Sequence, residues 1–352
     1  MKKVIVYMVF FLIIFSVILL GSEKTYALMG TINSEDQNYA YILDATDPSN
    51  IKTVFASNEE MSVDLTYRKN DFVYFATTET VPNFEYSDFF VVDIEDINKP
   101  KEIFRIRDNN GQFVLIAEND PYLYIGGYQA GLYIVDVSNP STPEIVKIIK
   151  IRDFTGVDGI KGAKIYNDYL FLTSLSMVAE LEYSEESKLG LYIVDISSHL
   201  EPSVKKYIYT GHHGIFGFNI IDNLLYACID GVGLNIYDVS NPIETNLVET
   251  IEYNYPNPSD ICFNGDYAYV GDMGQGILVF KMNGPTEFEL VNNITDPSYV
   301  TLKLEIFENI LYSASADKGL TIYNLENPEN PELIGRFYIP AGAAYCLKIF
   351  KK

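Results

Sequence analysis

The feature that most constrains this chain is an internal repeat with a period close to 43 residues. Five stretches begin with glycine, run through largely apolar residues and end in a polar turn, as in GLYIVDVSNP at residues 131–140. The residue that closes each apolar run, here called the marker, recurs at Asp44, Asp93, Asp136, Asp195, Asp238, Lys281 and Asn324. Successive markers are 49, 43, 59, 43, 43 and 43 residues apart, so seven units follow one another.

Each unit contains four short segments rich in β-branched and aromatic residues, separated by Gly, Asn, Asp and Pro, which predicts four strands. An aromatic residue stands 12 positions before the marker at Tyr124, Tyr226, Tyr269 and Tyr312. The glycines between the second and third segments favour the positive φ of a tight hairpin. We interpret the repeated Asp as turn chemistry and not as catalysis, because its short carboxylate bonds nearby backbone N–H groups.

The third segments, such as LYIVDV at residues 132–137, are almost continuously apolar, which predicts sheets buried on both faces. Stacked four-stranded units bury both faces only if the stack closes on itself. The sequence therefore predicts an all-β fold, a seven-bladed β-propeller with four antiparallel strands per blade. The tail at residues 343–352 matches an innermost strand, and residues 24–56 match the other three. We expect the C-terminal strand to join the N-terminal blade and close the ring.

The N-terminal segment has the layout of an export signal, with Lys2 and Lys3 before an uncharged apolar run at residues 4–20. The run of 17 residues is at the lower limit for spanning a bilayer, so an uncleaved anchor stays open. We therefore divide the chain into a signal peptide or anchor at residues 1–23 and a propeller at residues 24–352. The expected location is the cell surface or the extracellular space.

Composition and motifs narrow the function further. The chain has 48 acidic and 25 basic residues, a net charge of −23, which disfavours nucleic acid and anionic membrane surfaces as partners. We expect a monomer that meets a membrane only through its N-terminal segment. The cysteines Cys228, Cys262 and Cys346 lie in strand-like runs and are interpreted as small buried side chains. No hydrolase, zinc-protease, phosphate-loop or EF-hand motif is present, so we predict no catalytic residue, metal or cofactor.

The runs GLYIVDVSNPSTPEIV and GLYIVDISSHLEP resemble the LVIVD repeat, a motif of β-propellers in bacterial and archaeal surface proteins. The resemblance extends over residues 24–352. It is strongest at residues 131–143, 190–202 and 233–242, and weaker at 276–285, where Lys281 replaces Asp. It implies a propeller outside the cytoplasm with an interaction role, and it transfers no catalytic residue.

One face of such a propeller carries both the loops that lead into the innermost strands and the loops between second and third strands. Two insertions, residues 78–88 and 176–188, fall in loops of this face, where binding function commonly lies. The candidate ligand-binding residues on it are His212, His213, Arg107, Asp108, Arg152, Asp158, Lys161, Asp260 and Tyr255. His199 replaces a turn residue and should lie on the opposite face.

Three functions fit these observations. The first is a non-catalytic scaffold, secreted or on the cell surface, that binds an extracellular protein or a polysaccharide through the loop-rich face. The second is a propeller enzyme of hydrolase or lyase type with a site at the channel mouth near His212 and His213, a hypothesis that rests on fold analogy. The third is a sensor or assembly module that recruits a partner outside the cell.

Overall fold

The structure is a computed structural model in which the chain forms seven four-stranded antiparallel sheets arranged as blades around a central channel. It describes residues 23–33, 40–57, 61–79, 87–109, 112–128, 132–150, 160–174, 189–210, 214–295, 297–316, 318–339 and 342–352. The predicted seven-bladed β-propeller is confirmed. Within these ranges, no helix is long and apolar enough to cross a membrane.

Each blade contains one innermost strand, two middle strands and one outermost strand. Blade 1 contains β1 (Thr25–Asn33), β2 (Ala40–Asp44), β3 (Lys52–Ala56) and the C-terminal β28 (Gly342–Lys351). Blade 2 contains β4 (Met61–Lys69), β5 (Phe72–Glu79), β6 (Ser87–Asp93) and β7 (Lys101–Asp108). Blade 3 contains β8 (Gln112–Asn119), β9 (Tyr122–Tyr128), β10 (Leu132–Asp136) and β11 (Glu144–Ile149). Blade 4 contains β12 (Gly162–Tyr166), β13 (Tyr169–Thr173), β14 (Gly190–Asp195) and β15 (Ser203–Tyr209).

The remaining three blades follow the regular 43-residue spacing. Blade 5 contains β16 (Ile215–Ile221), β17 (Leu224–Ile229), β18 (Gly233–Asp238) and β19 (Asn246–Ile251). Blade 6 contains β20 (Pro258–Asn264), β21 (Tyr267–Asp272), β22 (Gly276–Gly284) and β23 (Glu287–Ile294). Blade 7 contains β24 (Thr301–Phe307), β25 (Ile310–Ser315), β26 (Gly319–Asn324) and β27 (Glu332–Phe337). Short 3-10 turns occupy Pro48–Asn50 and Pro242–Glu244.

The ring closes through blade 1, whose strand order from the channel outward is β28, β1, β2, β3. The closing pair extends to the chain end, because Lys24 N–H donates to Lys352 O at 2.8 Å and Lys352 N–H donates to Lys24 O at 3.0 Å. The predicted sharing of one blade between the two termini is thus confirmed.

The marker residues form the turns that follow the third strands. In six units the marker Oδ1 accepts a hydrogen bond from the backbone N–H two positions on, at 2.7 to 3.1 Å. Hydrogen bonds from Ser138 hold the pKa of Asp136 below its usual value. The seventh marker, Lys281, has no such oxygen, and there β22 continues to Gly284 and forms a hairpin with β23. The interpretation of the repeated Asp as turn chemistry is confirmed.

The hairpin glycines have the conformation that the sequence predicts. Gly276 and Gly319 have φ of +80° and +71°, and a Cβ on either would lie 2.2 Å from a backbone oxygen of the outermost strand. Any other residue there would be strained and would push the two strands apart.

Seven apolar clusters, one at each blade interface, form the core. Strand β14 shows how one run supplies two of them. Leu191 and Ile193 pack toward blade 5, whereas Tyr192 and Val194 pack toward blade 3. Successive side chains of a strand point to opposite faces, so a run with no polar alternation is what a sheet buried on both faces requires.

The repeated tyrosine of the second strand links neighbouring blades on the face of the Asp turns. Its hydroxyl forms a hydrogen bond with the fourth residue after the marker of the next blade. The distances are 2.9 Å from Tyr124 Oη to His199 Nδ1, 3.0 Å from Tyr226 Oη to Pro285 O and 2.9 Å from Tyr269 Oη to Pro328 O. His199 therefore lies on the face predicted for it. All three cysteines are buried, as predicted, and burial raises the pKa of the Cys228 and Cys262 thiols.

Candidate functional site

Two surfaces of the ring are named here. The loop face carries the connections from each outermost strand to the next innermost strand, such as residues 252–257 and 297–300, together with the loops between second and third strands. The turn face is the opposite side, with the Asp turns. The channel runs between them, lined by the innermost strands β28, β4, β8, β12, β16, β20 and β24.

Three exposed tyrosines form an arc on the loop face. Tyr255, Tyr299 and Tyr338 are 92%, 63% and 65% exposed, and in the described part of the chain they are the exposed aromatic side chains. Each lies in the connection into the next innermost strand, at the junctions of blades 5 and 6, 6 and 7, and 7 and 1. Three consecutive junctions thus present one aromatic side chain each to solvent.

The loop that carries Tyr255 is held by a buried carboxylate. Asp272 is fully buried and accepts hydrogen bonds from Tyr253 Oη at 3.0 Å and from the backbone N–H of Asn257, Gly274 and Gln275 at 2.8 to 2.9 Å. Burial, together with Asp272, raises the pKa of the Tyr253 hydroxyl. The Gln275 side chain also donates to the carbonyl oxygen of Tyr255 at 3.1 Å.

The backbone of Tyr255 has φ of +53°, which is rare for a bulky residue. The hydrogen bonds around Asp272 and Gln275 hold the loop in this conformation, and the aromatic ring points into solvent as a result. Such conformations persist only where the surrounding contacts determine them.

At the loop-face end of the channel, the side chains of Lys161 and Tyr345 contact each other across the opening. The Lys161 ammonium is hydrogen-bonded to the Tyr345 hydroxyl, and it lies 4.4 Å from the centroid of the Tyr345 ring. Lys161 precedes β12 of blade 4 and Tyr345 belongs to β28 of blade 1, so the contact joins opposite sides of the ring. It narrows the channel at its loop-face end.

Below this contact lies a cavity of about 610 Å³. One residue from each innermost strand lines the cavity, and these seven residues occupy equivalent positions. In blades 2 to 7 this residue pairs with the repeated aromatic residue of the second strand, and in blade 1 it pairs with Leu28. We call these positions the channel ring: Tyr67, Ala117, Lys164, Asn219, Cys262, Glu305 and Lys348. Asp260 and Lys303 also line the cavity, two positions earlier on β20 and β24 and so nearer the loop face.

Hydrogen bonds and ion pairs in the cavity join neighbouring blades. Lys164 Nζ donates to Asn219 Oδ1 at 2.8 Å, between blades 4 and 5. The Asp260–Lys303 ion pair at 3.0 Å joins blades 6 and 7, and the Glu305–Lys348 pair at 2.8 Å joins blades 7 and 1.

Burial perturbs the ionisable groups of the cavity. It lowers the pKa of Lys164 to about 8, and the nearby positive charge of Lys303 adds to this effect. Burial also raises the pKa of the Glu305 carboxyl, although Lys348 and the N–H of Ile349 act in the opposite direction. Lys303 behaves differently: burial lowers its pKa, but the Asp260 carboxylate more than offsets this and the pKa is raised.

The structure separates the residues predicted from sequence. Asp260 was expected in a loop, but it lies in β20 and lines the cavity. Lys161 lies at the loop-face end of the channel. Tyr255 is one of the three exposed tyrosines of the loop face. Arg107 lies on the outermost strand β7 and makes a bidentate contact with buried Asp88 at 2.7 and 2.8 Å. Asp108 accepts a hydrogen bond from Tyr133 Oη at 2.7 Å. Both therefore hold strands together at a blade edge, away from the channel ring.

Four predicted candidates, His212, His213, Arg152 and Asp158, lie outside the described residues, as do residues 80–86 of the first insertion and all of the second, residues 176–188. Among the described residues, no group of three or more His, Cys, Asp and Glu side chains is arranged to hold a metal ion. Sequence reasoning missed Lys164, Asn219, Glu305 and Lys348. The available signal was a polar residue inside an otherwise apolar first segment, as in GAKIY and KLEIF.

Comparison with known proteins supports the repeat and the fold. The family profile described as the LVIVD repeat matches residues 111–150, 221–253 and 257–306. The chain is a β-propeller that contains LVIVD repeats. The matches include two of the three stretches with the strongest resemblance, at residues 131–143 and 233–242, and also the weaker one at 276–285. The stretch at 190–202 lies outside them. No curated protein matches the chain significantly.

Solved structures resemble this propeller at low sequence identity. The computationally designed Ika8 protein has a TM-score of 0.58 and 11% identity, covering 93% of this chain and 91% of that one. A chain of the mitotic checkpoint complex has a TM-score of 0.59 and 11% identity, covering 88% and 86%. Sqt1 from Chaetomium thermophilum, bound to the N-terminus of ribosomal protein L10, has a TM-score of 0.56 and 12% identity, covering 90% and 88%. At this identity the likeness extends to the fold alone.

Proposed function

We propose that this propeller is an exported, non-catalytic binding scaffold that takes an extracellular protein partner on its loop face. The arc of Tyr255, Tyr299 and Tyr338 is the observation that carries the proposal. Tyrosine is enriched at protein interfaces, where its ring contributes a large contact area and its hydroxyl a hydrogen bond. Exposed aromatic residues clustered on one surface mark a site of interaction more often than scattered ones do.

The strained backbone at Tyr255 gives further support. A bulky residue held at φ of +53° costs of order 1–3 kcal/mol, and such strain concentrates at functional sites. The exposed aliphatic side chains Leu247, Val248 and Leu290 lie instead on the outermost strands β19 and β23. In the described part of the chain, the exposed aromatic side chains are therefore confined to the loop face, while exposed aliphatic ones lie on outermost strands and, at Leu200 and Ile243, on the turn face.

The experiment uses the immobilised full chain to capture partners from the extracellular fraction of the producing cells. Captured proteins are purified and their affinities measured against the triple variant Tyr255→Ala, Tyr299→Ala, Tyr338→Ala. We expect a loss of at least about tenfold, since aromatic anchors contribute about 1–2 kcal/mol or more each. The control triple variant Leu247→Ala, Val248→Ala, Leu290→Ala should bind as the wild type does.

Three outcomes would contradict the proposal. Equal binding by both triple variants would place the contact elsewhere on the ring. Binding of a polysaccharide fraction, with no protein captured, would favour the other ligand class expected from the sequence. Turnover in a hydrolase and lyase substrate screen that is lost in His212→Ala would favour the enzyme hypothesis, which stays a prediction because the two histidines lie outside the described residues.

A further inference from the structure

The cavity of the channel is lined by three lysines, although the chain as a whole carries a net charge of −23. Around Lys164 lie the ammonium groups of Lys303 and Lys348 and the carboxylates of Asp260 and Glu305, and all four act on it electrostatically. When every group is ionised, this set has three positive and two negative charges. A third carboxylate, Glu118, also lines the cavity; like Lys348 it is exposed, and it is hydrogen-bonded to the Tyr67 hydroxyl.

Both carboxylates near Lys164 already have partners on each of their oxygens. Asp260 Oδ1 pairs with Lys303 at 3.0 Å, and its Oδ2 accepts the backbone N–H of Leu304 at 3.0 Å. Glu305 Oε1 pairs with Lys348 at 2.8 Å, and its Oε2 accepts the backbone N–H of Ile349 at 2.9 Å. Neither carboxylate can turn toward Lys164 without breaking an inter-blade contact.

Lys164 itself is left with a neutral partner. Among the described residues its ammonium makes one hydrogen bond, to Asn219 Oδ1 at 2.8 Å, and no ion pair. The Asn219 side chain is oriented by two further contacts, because Oδ1 accepts the N–H of Ile220 at 3.0 Å and Nδ2 donates to Ile261 O at 3.3 Å. An ammonium in a confined cavity is costly unless an anion compensates it.

The walls of the cavity define the rest of the ligand. Apolar side chains line it between the charged groups, namely Ile116, Ala163, Ile165, Ile261, Leu304 and Leu347. Its volume of about 610 Å³ falls in the range of small-molecule sites, which combine apolar walls with a few placed polar groups. A ligand with one negative group and an apolar body satisfies both features.

We propose that the channel binds a small organic monocarboxylate, with its carboxylate paired to Lys164 and its apolar body against the aliphatic walls. The ligand carboxylate supplies the anionic partner that Lys164 lacks among the described residues. The protein partner of the loop face and this ligand occupy different surfaces, so either proposal can fail while the other stands.

The experiment is titration calorimetry on the full chain with acetate, butyrate and benzoate, and with benzamide as the uncharged counterpart of benzoate. We expect benzoate to bind and benzamide not to bind. In Lys164→Met we expect benzoate affinity to fall about 10- to 100-fold, or about 1.4–2.8 kcal/mol, through loss of a charge-assisted contact. Lys205→Met, on the outermost strand of the same blade, is the matched control and should bind as the wild type does.

A pH series on the unsubstituted protein gives a second readout that does not depend on the variants. Benzoate affinity should fall as the pH is raised through about 8, where Lys164 loses its proton among the facing groups Lys303, Lys348, Asp260 and Glu305. The proposal is overturned if no acid of the series binds at millimolar concentration, or if benzamide binds as well as benzoate. It is equally overturned if Lys164→Met keeps wild-type affinity, or if the affinity does not change across this pH range.

Discussion

Replacing Lys164 by methionine should stabilise the propeller at neutral pH. The environment lowers the pKa of Lys164 from 10.5 to about 8, and burial is the largest cause. At 1.36 kcal/mol per pH unit, a shift of this size corresponds to a penalty of about 3 kcal/mol on the charged form in the folded state. Methionine has a similar length and no charge, so it removes the penalty. Asn219 Oδ1 keeps the hydrogen bond from Ile220 N–H and is not left unsatisfied.

The sign of the pH dependence follows from which state holds the proton. Below pH 8 both states are protonated and the full penalty applies. Between pH 8 and pH 10.5 the folded state has released the proton while the unfolded state retains it. Deprotonation of Lys164 therefore makes the wild-type free energy of unfolding increase as the pH rises over this range. The advantage of Lys164→Met should therefore shrink from about 3 kcal/mol at pH 7 to a few tenths of a kcal/mol near pH 10.5.

Thermal unfolding by differential scanning calorimetry at pH 7, 9 and 10.5 measures this difference. At an entropy of unfolding of about 2 cal/mol/K per residue, about 3 kcal/mol raises Tm by about 4 °C in a domain of about 330 residues. Lys205→Met, at a side chain 41% exposed, is the control and should shift stability by less than about 0.5 kcal/mol. A Lys164→Met variant no more stable than wild type at pH 7, or one with an advantage independent of pH, would refute the reasoning.

Two further predictions test the ring itself. Tyr269→Phe removes the hydroxyl that donates to Pro328 O in the next blade, and should lower the free energy of unfolding by about 1–2 kcal/mol in calorimetry. Tyr255→Phe, at an exposed site, is the control and should leave the free energy of unfolding unchanged. Deleting residues 343–352 removes five buried side chains of β28. Burial of each large apolar side chain contributes about 1.5–3 kcal/mol, so the loss is on the order of 10 kcal/mol. This is comparable to the free energy of unfolding of a whole domain. Limited proteolysis should then degrade the truncated chain rapidly, and survival of a protease-resistant core as in wild type would contradict closure by this strand.

The backbone of the ring could be predicted from sequence because each unit repeats the same local chemistry. The marker Asp predicts a turn that needs only its own carboxylate and an N–H two residues on, as at Asp136 and Ser138. The match between the two chain ends predicts the order of blade 1. The sequence shows that Lys281 replaces the marker Asp in blade 6. It does not show the hairpin that follows, because that hairpin depends on how far β22 and β23 remain paired and the marker pattern does not encode this.

The site was harder to predict because its members meet across the ring and not along the chain. Lys161 and Tyr345 are 184 residues apart, and no local pattern pairs them. Asp260 was placed in a loop because polar residues precede it, whereas it lies inside β20 and bonds to the following blade. Arg107 was predicted from its place before β8, whereas its contacts with buried Asp88, which link strands β6 and β7, could not be predicted from that place.

The channel ring is where the repeats are free to differ. Positions that face a neighbouring blade must fill an apolar interface, and the marker must form a turn, so both stay similar from unit to unit. A channel-ring residue pairs with the same second-strand position in every blade, yet its side chain ranges from Ala117 to Lys164 to Glu305. These side chains border the channel as well as a blade interface, where Ala117 and Cys262 join apolar clusters, and packing allows more than one residue type there. A lysine that destabilises the folded state by about 3 kcal/mol is therefore tolerated by a fold with seven apolar interfaces, and stability does not explain its presence. The charge of Lys164 is accounted for by what the channel binds.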